Sequence, residues 1–195
     1  MCGRYWLDPD ETADLLEPAV SGFDRKTWCQ RASGDICPSE RAPVIRAAGG
    51  GLGIMDMRWG CPSYKSSALI INARAESVFE KKMFQAGIRA SRIVIPASGF
   101  YEWNPRKEKN TFRRKDSPLM YMAGFADIFD NEERFVILTT AANESMIPVH
   151  GRMPLILEKD QLDEWILDDS AVRLILGQRP VQLERRAEFE QMTLF

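Results

Sequence analysis

Arg92-Ile93-Val94-Ile95-Pro96-Ala97-Ser98-Gly99-Phe100-Tyr101-Glu102-Trp103 decides the fold class. Two short strand-like runs, Arg92–Pro96 and Phe100–Trp103, stand on either side of a stretch of small residues. Outward from this stretch the same pattern recurs. Gly49-Gly50-Gly51 marks a tight turn, followed by runs at Gly53–Trp59, Ala68–Ile71, Leu119–Phe125 and Phe135–Thr140, with a last strand at Met153–Leu157. Helices are few. Asp8 is placed to cap a helix with Pro9 at its first position and Glu11 closing a capping box, running to Glu17 where Pro18 stops it. Glu76–Gln85 and a capped Asp160–Leu167 also read as helical, and residues 22–50 as loops with a short strand. The pattern predicts one compact α+β domain over residues 1–185, with a mainly antiparallel, partly barrel-like sheet and peripheral helices, followed by a tail over 186–195.

Composition narrows the function classes. The chain has 195 residues, 45% hydrophobic and 10% aromatic, which excludes global disorder. Lys+Arg 26 against Asp+Glu 28 gives a formal charge of -2, so bulk charge does not make it a nucleic-acid coat, while a local basic groove stays open. Arginine supplies 18 of the 26 cations, a bias toward bidentate phosphate contacts or simply toward Arg codons. Arg106–Lys115 holds six basic residues against Glu108 and is expected as an exposed hairpin tip or loop. No apolar run approaches the roughly 20 residues of a membrane span, and the N-terminus lacks a secretory signal. The expected location is cytoplasmic. Cys2, Cys29, Cys37 and Cys61 form no C-x-x-C pair, so neither a zinc site nor a disulfide framework is expected.

A few residues could carry chemistry. Cys2 becomes residue one when Met1 is removed, exposing an α-amine and a thiol on one residue. The amine has a reference pKa of about 8. Such an aminothiol can condense with an aldehyde to a Schiff base and close to a thiazolidine, or act as an N-terminal nucleophile. His150, in Pro148-Val149-His150-Gly151-Arg152, is the only histidine and so the only imidazole proton carrier, or a core-edge residue. Glu102 between Tyr101 and Trp103 is either a desolvated proton carrier or an outward strand residue. Alternation puts Asn72, Arg74 and Glu76 on one face, as a polar constellation or a structural Arg74–Glu76 ion pair. Trp59 is a stacking surface for an unpaired base or a core residue.

Met1-Cys2-Gly3-Arg4, Trp59-Gly60, Asn72-Ala73-Arg74-Ala75-Glu76, Pro96-Ala97-Ser98-Gly99-Phe100-Tyr101-Glu102-Trp103 and His150-Gly151-Arg152-Met153-Pro154 occur in one order. Over roughly residues 1–167 that series resembles the SOS response-associated peptidase (SRAP) family, whose members shield abasic sites in single-stranded DNA. The resemblance implies that Cys2, freed of Met1, captures the ring-opened aldehyde as a thiazolidine crosslink, with lyase-like chemistry and self-removal of Met1. It implies that Asn72 orients the Cys2 amine and the sugar, that Glu102 and His150 move protons, that Arg4, Arg74 and Arg152 hold or adjoin flanking phosphates, and that Trp59 stacks on DNA. It implies a monomer with no metal or cofactor, acting at the bacterial nucleoid. Arg58 stands where an apolar or aromatic residue is expected.

Gln191-Met192-Thr193-Leu194-Phe195 resembles the short motif that docks bacterial proteins into the replicative sliding clamp, with Gln191 at the pocket rim and Leu194 and Phe195 in an apolar cleft. Two other function classes fit the same residues. One is a cysteine peptidase acting on external peptides through Cys2, His150 and Glu102. The other is a non-catalytic DNA- or clamp-binding module.

Overall fold

The computed structural model describes residues 2–63 and 66–188. Its strands are, in chain order, β1 (Tyr5–Leu7), β2 (Gly34–Ile36), β3 (Arg41–Ala48), β4 (Gly51–Trp59), β5 (Cys61–Pro62), β6 (Leu69–Ile70) and β7 (Asn72–Arg74). They continue as β8 (Arg92–Ala97), β9 (Gly99–Trp103), β10 (Lys109–Arg113), β11 (Met120–Phe129) and β12 (Glu132–Ala141). The last are β13 (Arg152–Pro154), β14 (Ile156–Leu157) and β15 (Glu184–Ala187). The α-helices are α1 (Pro9–Leu16), α2 (Arg25–Cys29), α3 (Lys82–Ala90), α4 (Gln161–Leu167) and α5 (Val172–Leu176). This is the α+β class expected from the strand-rich pattern.

Five strands close on themselves in the order β12-β4-β3-β8-β11 and back to β12, forming a partly closed barrel. Pairing is antiparallel except where β12 runs parallel to β4 (Phe135↔Trp59) and then, further along, to β7 (Ile137↔Asn72). The thinnest seam is between β3 and β8, held by the single pair Ile45↔Val94. A second antiparallel sheet, ordered β15-β10-β9-β1-β2, lies beside the barrel, and β5 pairs with β6 alone. β8 passes directly into β9 through Ser98, so one continuous segment serves both sheets.

The long apolar runs follow from burial on both faces. Ile93, Ile95 and Ala97 of β8 join one buried cluster, with Met120, Met122, Tyr5, Phe100 and Phe112. Val94 points the other way, into the cluster that packs under the helices with Ala123, Phe125, Leu16, Ile88 and Trp165. Strict alternation therefore disappears from β8 and β11, although each strand still alternates between two cores.

Arg92 ties two helices to this frame. It is 7% exposed. Its guanidinium donates to Ile88 O and Arg89 O at the end of α3, to Trp165 O and Ile166 O at the end of α4, and to Asp169 Oδ1 at 2.6 Å. A cation is thus buried where two helices leave carbonyls without intrahelical partners and present the negative ends of their dipoles.

Several expectations need correction. The Asp8 carboxylate does cap α1, accepting from Asp10 N and Glu11 N, but its own N–H goes to Ser98 Oγ at 2.9 Å, where a capping box would give it to Glu11. The helix expected at Glu76–Gln85 is a short 3-10 turn over Ala75–Ser77 followed by α3, which starts at Lys82. Residues 22–50 hold α2 and the eight-residue strand β3, a member of the barrel. Half of Arg106–Lys115 is strand β10, Lys109–Arg113, with Asn110 and Phe112 buried. Asp160 precedes α4 without a side-chain cap bond. β15 runs through the boundary expected between residues 185 and 186, and Gln191, Leu194 and Phe195 lie outside the described residues. Among the described residues no helix is long and apolar enough to cross a membrane.

Replacing Arg92 with Leu should cost about 3 kcal/mol, because the carbonyls it serves become buried and unpaired. Urea unfolding monitored by far-UV circular dichroism checks this, and a midpoint equal to wild type would remove Arg92 from the account.

Candidate functional site at Cys2

β1 reaches the site by pairing antiparallel with β9, Tyr5 opposite Phe100 and Trp6 opposite Gly99. The ladder extends past both ends of this register, with Ser98 N donating to Trp6 O at 2.8 Å and Tyr101 N to Arg4 O at 3.0 Å. Gly99 makes this approach possible. A Cβ there would fall inside the Trp6 ring and within 2.5 Å of the Phe112 carbonyl oxygen. The pairing brings the segment before β1, which carries Cys2, toward the end of β9, which carries Glu102.

Cys2 is 2% exposed and belongs to the same buried cluster as Tyr5, Trp59, Phe100, Val149 and Met153. Its carbonyl accepts from Asn72 Nδ2 at 2.9 Å, across 70 residues of sequence. The thiol faces Arg4 O at 3.8 Å. Burial first, and then the Glu102 charge, push that thiol up to about 12, so it rests protonated at neutral pH. Reaction through sulfur therefore requires a group that takes its proton.

Glu102 is turned inward on β9 and buried, with Asn110 directly across on β10. Its Oε1 accepts from Trp103 N at 3.3 Å. This settles the alternation on β9: Tyr101 and Trp103 face outward, and the carboxylate lies on the Cys2 side. His150 is half-buried at the end of a turn in which His150 N donates to Met146 O. Its Nδ1 accepts from Arg152 N at 2.9 Å, which assigns the proton of the neutral ring to Nε2. Its neighbour Val149 lies in the Cys2 cluster, so His150 stands at the rim of that cluster.

The arginines separate. Arg4 pairs with Asp35 at 3.5 Å, with its guanidinium 5.8 Å from the Trp103 ring centroid. Arg74 is exposed at the end of β7 and makes no ion pair among the described residues. Arg152 grips Glu76 with two bonds of 2.7 and 2.9 Å and also donates to Thr139 O. The Arg152 hydrogen bond is the main cause holding the Glu76 carboxyl below its usual range. The structural ion pair of this region thus joins Glu76 to Arg152, not to Arg74.

Trp59 is corrected. It is 0% exposed, edge-on to Tyr5 at 5.3 Å and parallel to Phe135 at 6.2 Å, with its indole N–H given to Ile71 O at 3.0 Å. With every face covered it offers no surface to a base. Arg58 beside it donates two bonds to Glu132 and one to Ser39 O, which explains a charged residue at that position.

Three residues at the site escaped the sequence reading. Asn143 is fully buried, donating to Pro180 O and Val181 O and accepting from Ser145 N and Ser145 Oγ. It locks the chain before β15 onto the turn that leads to His150. Asn110 backs Glu102. Tyr5 is 0% exposed and its hydroxyl has no hydrogen-bond partner among the described residues. Burial first, then the charges of Cys2 and Glu40, push that phenol well above its usual range. The Asn72 Oδ1 atom is likewise buried with no partner among the described residues. Among the described residues no group of three His, Cys, Asp or Glu side chains could hold a metal ion.

The site thus sets a strand-delivered cysteine beside an inward glutamate on a barrel-and-sheet α+β frame. A family model described as SOS response associated peptidase (SRAP) matches residues 1–187, and the chain belongs to that family. The abasic site processing protein YoaM of Bacillus subtilis is 30% identical over 184 residues, covering 85% of this chain and 79% of its own. The abasic site processing protein YedK of Escherichia coli is 26% identical over 177 residues, with the same 85% and 79% coverage. A crystal structure of a Bacteroides thetaiotaomicron protein has the same fold, with TM-score 0.77 and 20% identity over 95% of this chain and 91% of that one.

Two substitutions test the geometry. Gly99→Ala should cost about 2 kcal/mol by forcing Trp6 and β1 off β9, and should raise the reactivity of Cys2 toward a soluble disulfide reagent. A Cys2 as protected as in wild type would separate Gly99 from the site. Tyr5→Phe should stabilise the protein by about 1 kcal/mol, since it deletes a buried hydroxyl with no partner among the described residues. Loss of stability in denaturant titration would mean that the hydroxyl is bonded in solution.

Proposed function

We propose that this protein processes abasic sites in DNA, binding the lesion in single-stranded DNA and trapping it covalently through Cys2 once Met1 has been removed. The observation that carries the reading is the buried Cys2, its carbonyl bonded to Asn72 and its thiol beside Glu102. The names of the relatives support the choice of lesion.

The chemistry uses groups already described. The Cys2 α-amine attacks the aldehyde carbon of the ring-opened deoxyribose. Loss of water leaves an imine. The thiol then adds to the imine carbon, forming the C–S bond while its proton passes to nitrogen, and a five-membered thiazolidine results. The atoms balance as aminothiol plus aldehyde giving thiazolidine plus water.

A thiol whose pKa is raised to about 12 needs a base at that second step, and Glu102 is the carboxylate beside it. His150, with its proton on Nε2, serves the sugar oxygen as acid and base. Asn72 holds the Cys2 backbone and offers its Oδ1, unpartnered among the described residues, to the amine or to a sugar hydroxyl. Removal of Met1 by the same groups is consistent with the family's description as a peptidase. Exposed Arg74 supplies a phosphate contact directly, whereas Arg152 does so on releasing Glu76.

Intact-mass analysis with an oligonucleotide carrying one abasic site tests the reading. Wild type should lose the mass of Met1 and gain the DNA mass less one water. Cys2→Ala keeps an α-amine, so it should still give an adduct under borohydride trapping but form no stable crosslink without reductant. An equally stable crosslink in Cys2→Ala would refute the role of the thiol.

A further inference from the structure

Glu76 has no part in the Cys2 chemistry, yet it lies between the two arms of that site. One arm is β7, where Asn72 donates to the Cys2 carbonyl and Arg74 ends the strand before the Ala75–Ser77 turn. The other runs from His150 into β13, where Arg152 N donates to His150 Nδ1 at 2.9 Å. β12 carries both arms, with Thr139 opposite Arg74 on one side and Ala141 opposite Arg152 on the other. Backbone pairing thus sets each arm before any side chain joins them.

The Arg152 fork is full. Its Nε is buried, so the guanidinium presents only Nη1 and Nη2 outward. Nη1 donates to Glu76 Oε1 at 2.7 Å and Nη2 to Glu76 Oε2 at 2.9 Å, one bond to each carboxylate oxygen. Nη2 also donates to Thr139 O, which holds the guanidinium down on β12. The Arg152 side chain is 18% exposed against 50% for Glu76, so the carboxylate is the more open partner. The Arg152 hydrogen bond first, and to a smaller extent the Arg74 charge, hold the Glu76 carboxyl below its usual range. The carboxylate therefore lies in the joint field of two guanidiniums. A phosphodiester offers an arginine fork the same two-oxygen contact, and none can take it on Arg152 while Glu76 is there.

We propose that Glu76 is a specificity-determining residue, its carboxylate filling in the free protein the place that a phosphate of the bound strand takes on Arg152. The proposal rests on the reading of single-stranded DNA as the ligand. A ligand without a phosphate at that point leaves the fork closed. One that has it exchanges one anion for another, and Glu76 is released to the solvent in which half of it already lies. The exchange conserves charge, so that phosphate adds nothing to the salt dependence: the counterion it sheds is taken up by Glu76. An ion pair that served the fold alone would stay closed when the strand binds.

The test measures affinity by fluorescence anisotropy for an unreactive abasic-analogue oligonucleotide over a range of salt. It compares wild type, Glu76→Gln, Arg152→Ala and the double variant. Glu76→Gln should bind about fivefold more tightly at low salt, the worth of a partly exposed ion pair. Its salt slope should steepen by about 0.7, the value for one single-strand phosphate. In the Arg152→Ala background the same change should leave the slope where it was and give a smaller gain. That difference separates release of the fork from simple loss of a negative charge. Equal gains in both backgrounds would overturn the proposal, as would weaker or unchanged binding by Glu76→Gln. A second arm titrates inorganic phosphate at constant pH and ionic strength, read by the imidazole NMR signals of His150, the only histidine. Phosphate should shift them at lower concentration in Glu76→Gln than in wild type, and not in Arg152→Ala. Equal titration of wild type and Glu76→Gln would also overturn the proposal. If none of the four proteins binds the oligonucleotide while phosphate behaves as expected, the single-strand reading falls and Glu76 still guards a phosphate site.

Discussion

The docking of β1 onto β9 is the constraint on which the rest of the site depends. Cys2 lies three residues before a strand of only three, so nothing local holds it in place. Its position comes from the ladder between Trp6, Arg4 and the Ser98–Tyr101 stretch, closed from the other side by the Asn72 bond to its carbonyl. That ladder requires a residue without a side chain at 99, where Trp6 crosses the sheet. The same residue pair faces both ways. Inward it sets Cys2 near Glu102, and outward it lays an aromatic ring along the sheet surface.

Burial then decides the chemical state of the groups delivered. A solvated cysteine thiol has a pKa of about 8.5. Here the apolar cluster and the Glu102 carboxylate keep the proton on sulfur. A protonated, enclosed thiol resists adventitious oxidation. The cost of enclosing polar atoms is met unevenly. Arg92 and Asn143 are satisfied by carbonyls and nearby side chains, whereas Tyr5 Oη and Asn72 Oδ1 have no partner among the described residues. Among the described residues Arg31 Nε and Arg134 Nε are buried without partners as well, so such atoms also occur in the supporting frame.

Much of the fold was legible because it rests on local signals. Runs bounded by turn residues located β4, β8, β9, β11 and β12, and Asp8-Pro9 located the start of α1. The failures have physical causes. β3 carries Pro43 and two arginines, Arg41 and Arg46, and it is recognised as a strand only through its ladder with β4. β15, Glu184-Arg185-Arg186-Ala187, has no apolar pattern and becomes a strand because the outer edge of β10 supplies partners. α3 starts later than expected because Ala75–Ser77 tightens into a separate turn directly after β7. Trp59 shows the limit for side chains: an aromatic at a strand end has the same sequence signature whether its face meets solvent or Phe135.

By itself the sequence determined the inventory and the class: a cysteine at position 2, a single imidazole, a glutamate between aromatics whose direction stayed open, and a strand-rich α+β domain of a recognisable family. Those properties belong to residue identity and short-range periodicity, which survive without tertiary information. Tertiary structure alone decided which way Glu102 points, that Glu76 belongs to Arg152, and that Trp59 is core. Each of these depends on contacts between segments far apart in the chain, such as the 70 residues between Cys2 and Asn72. Strand register and burial, which no single segment encodes, are what bring such segments together.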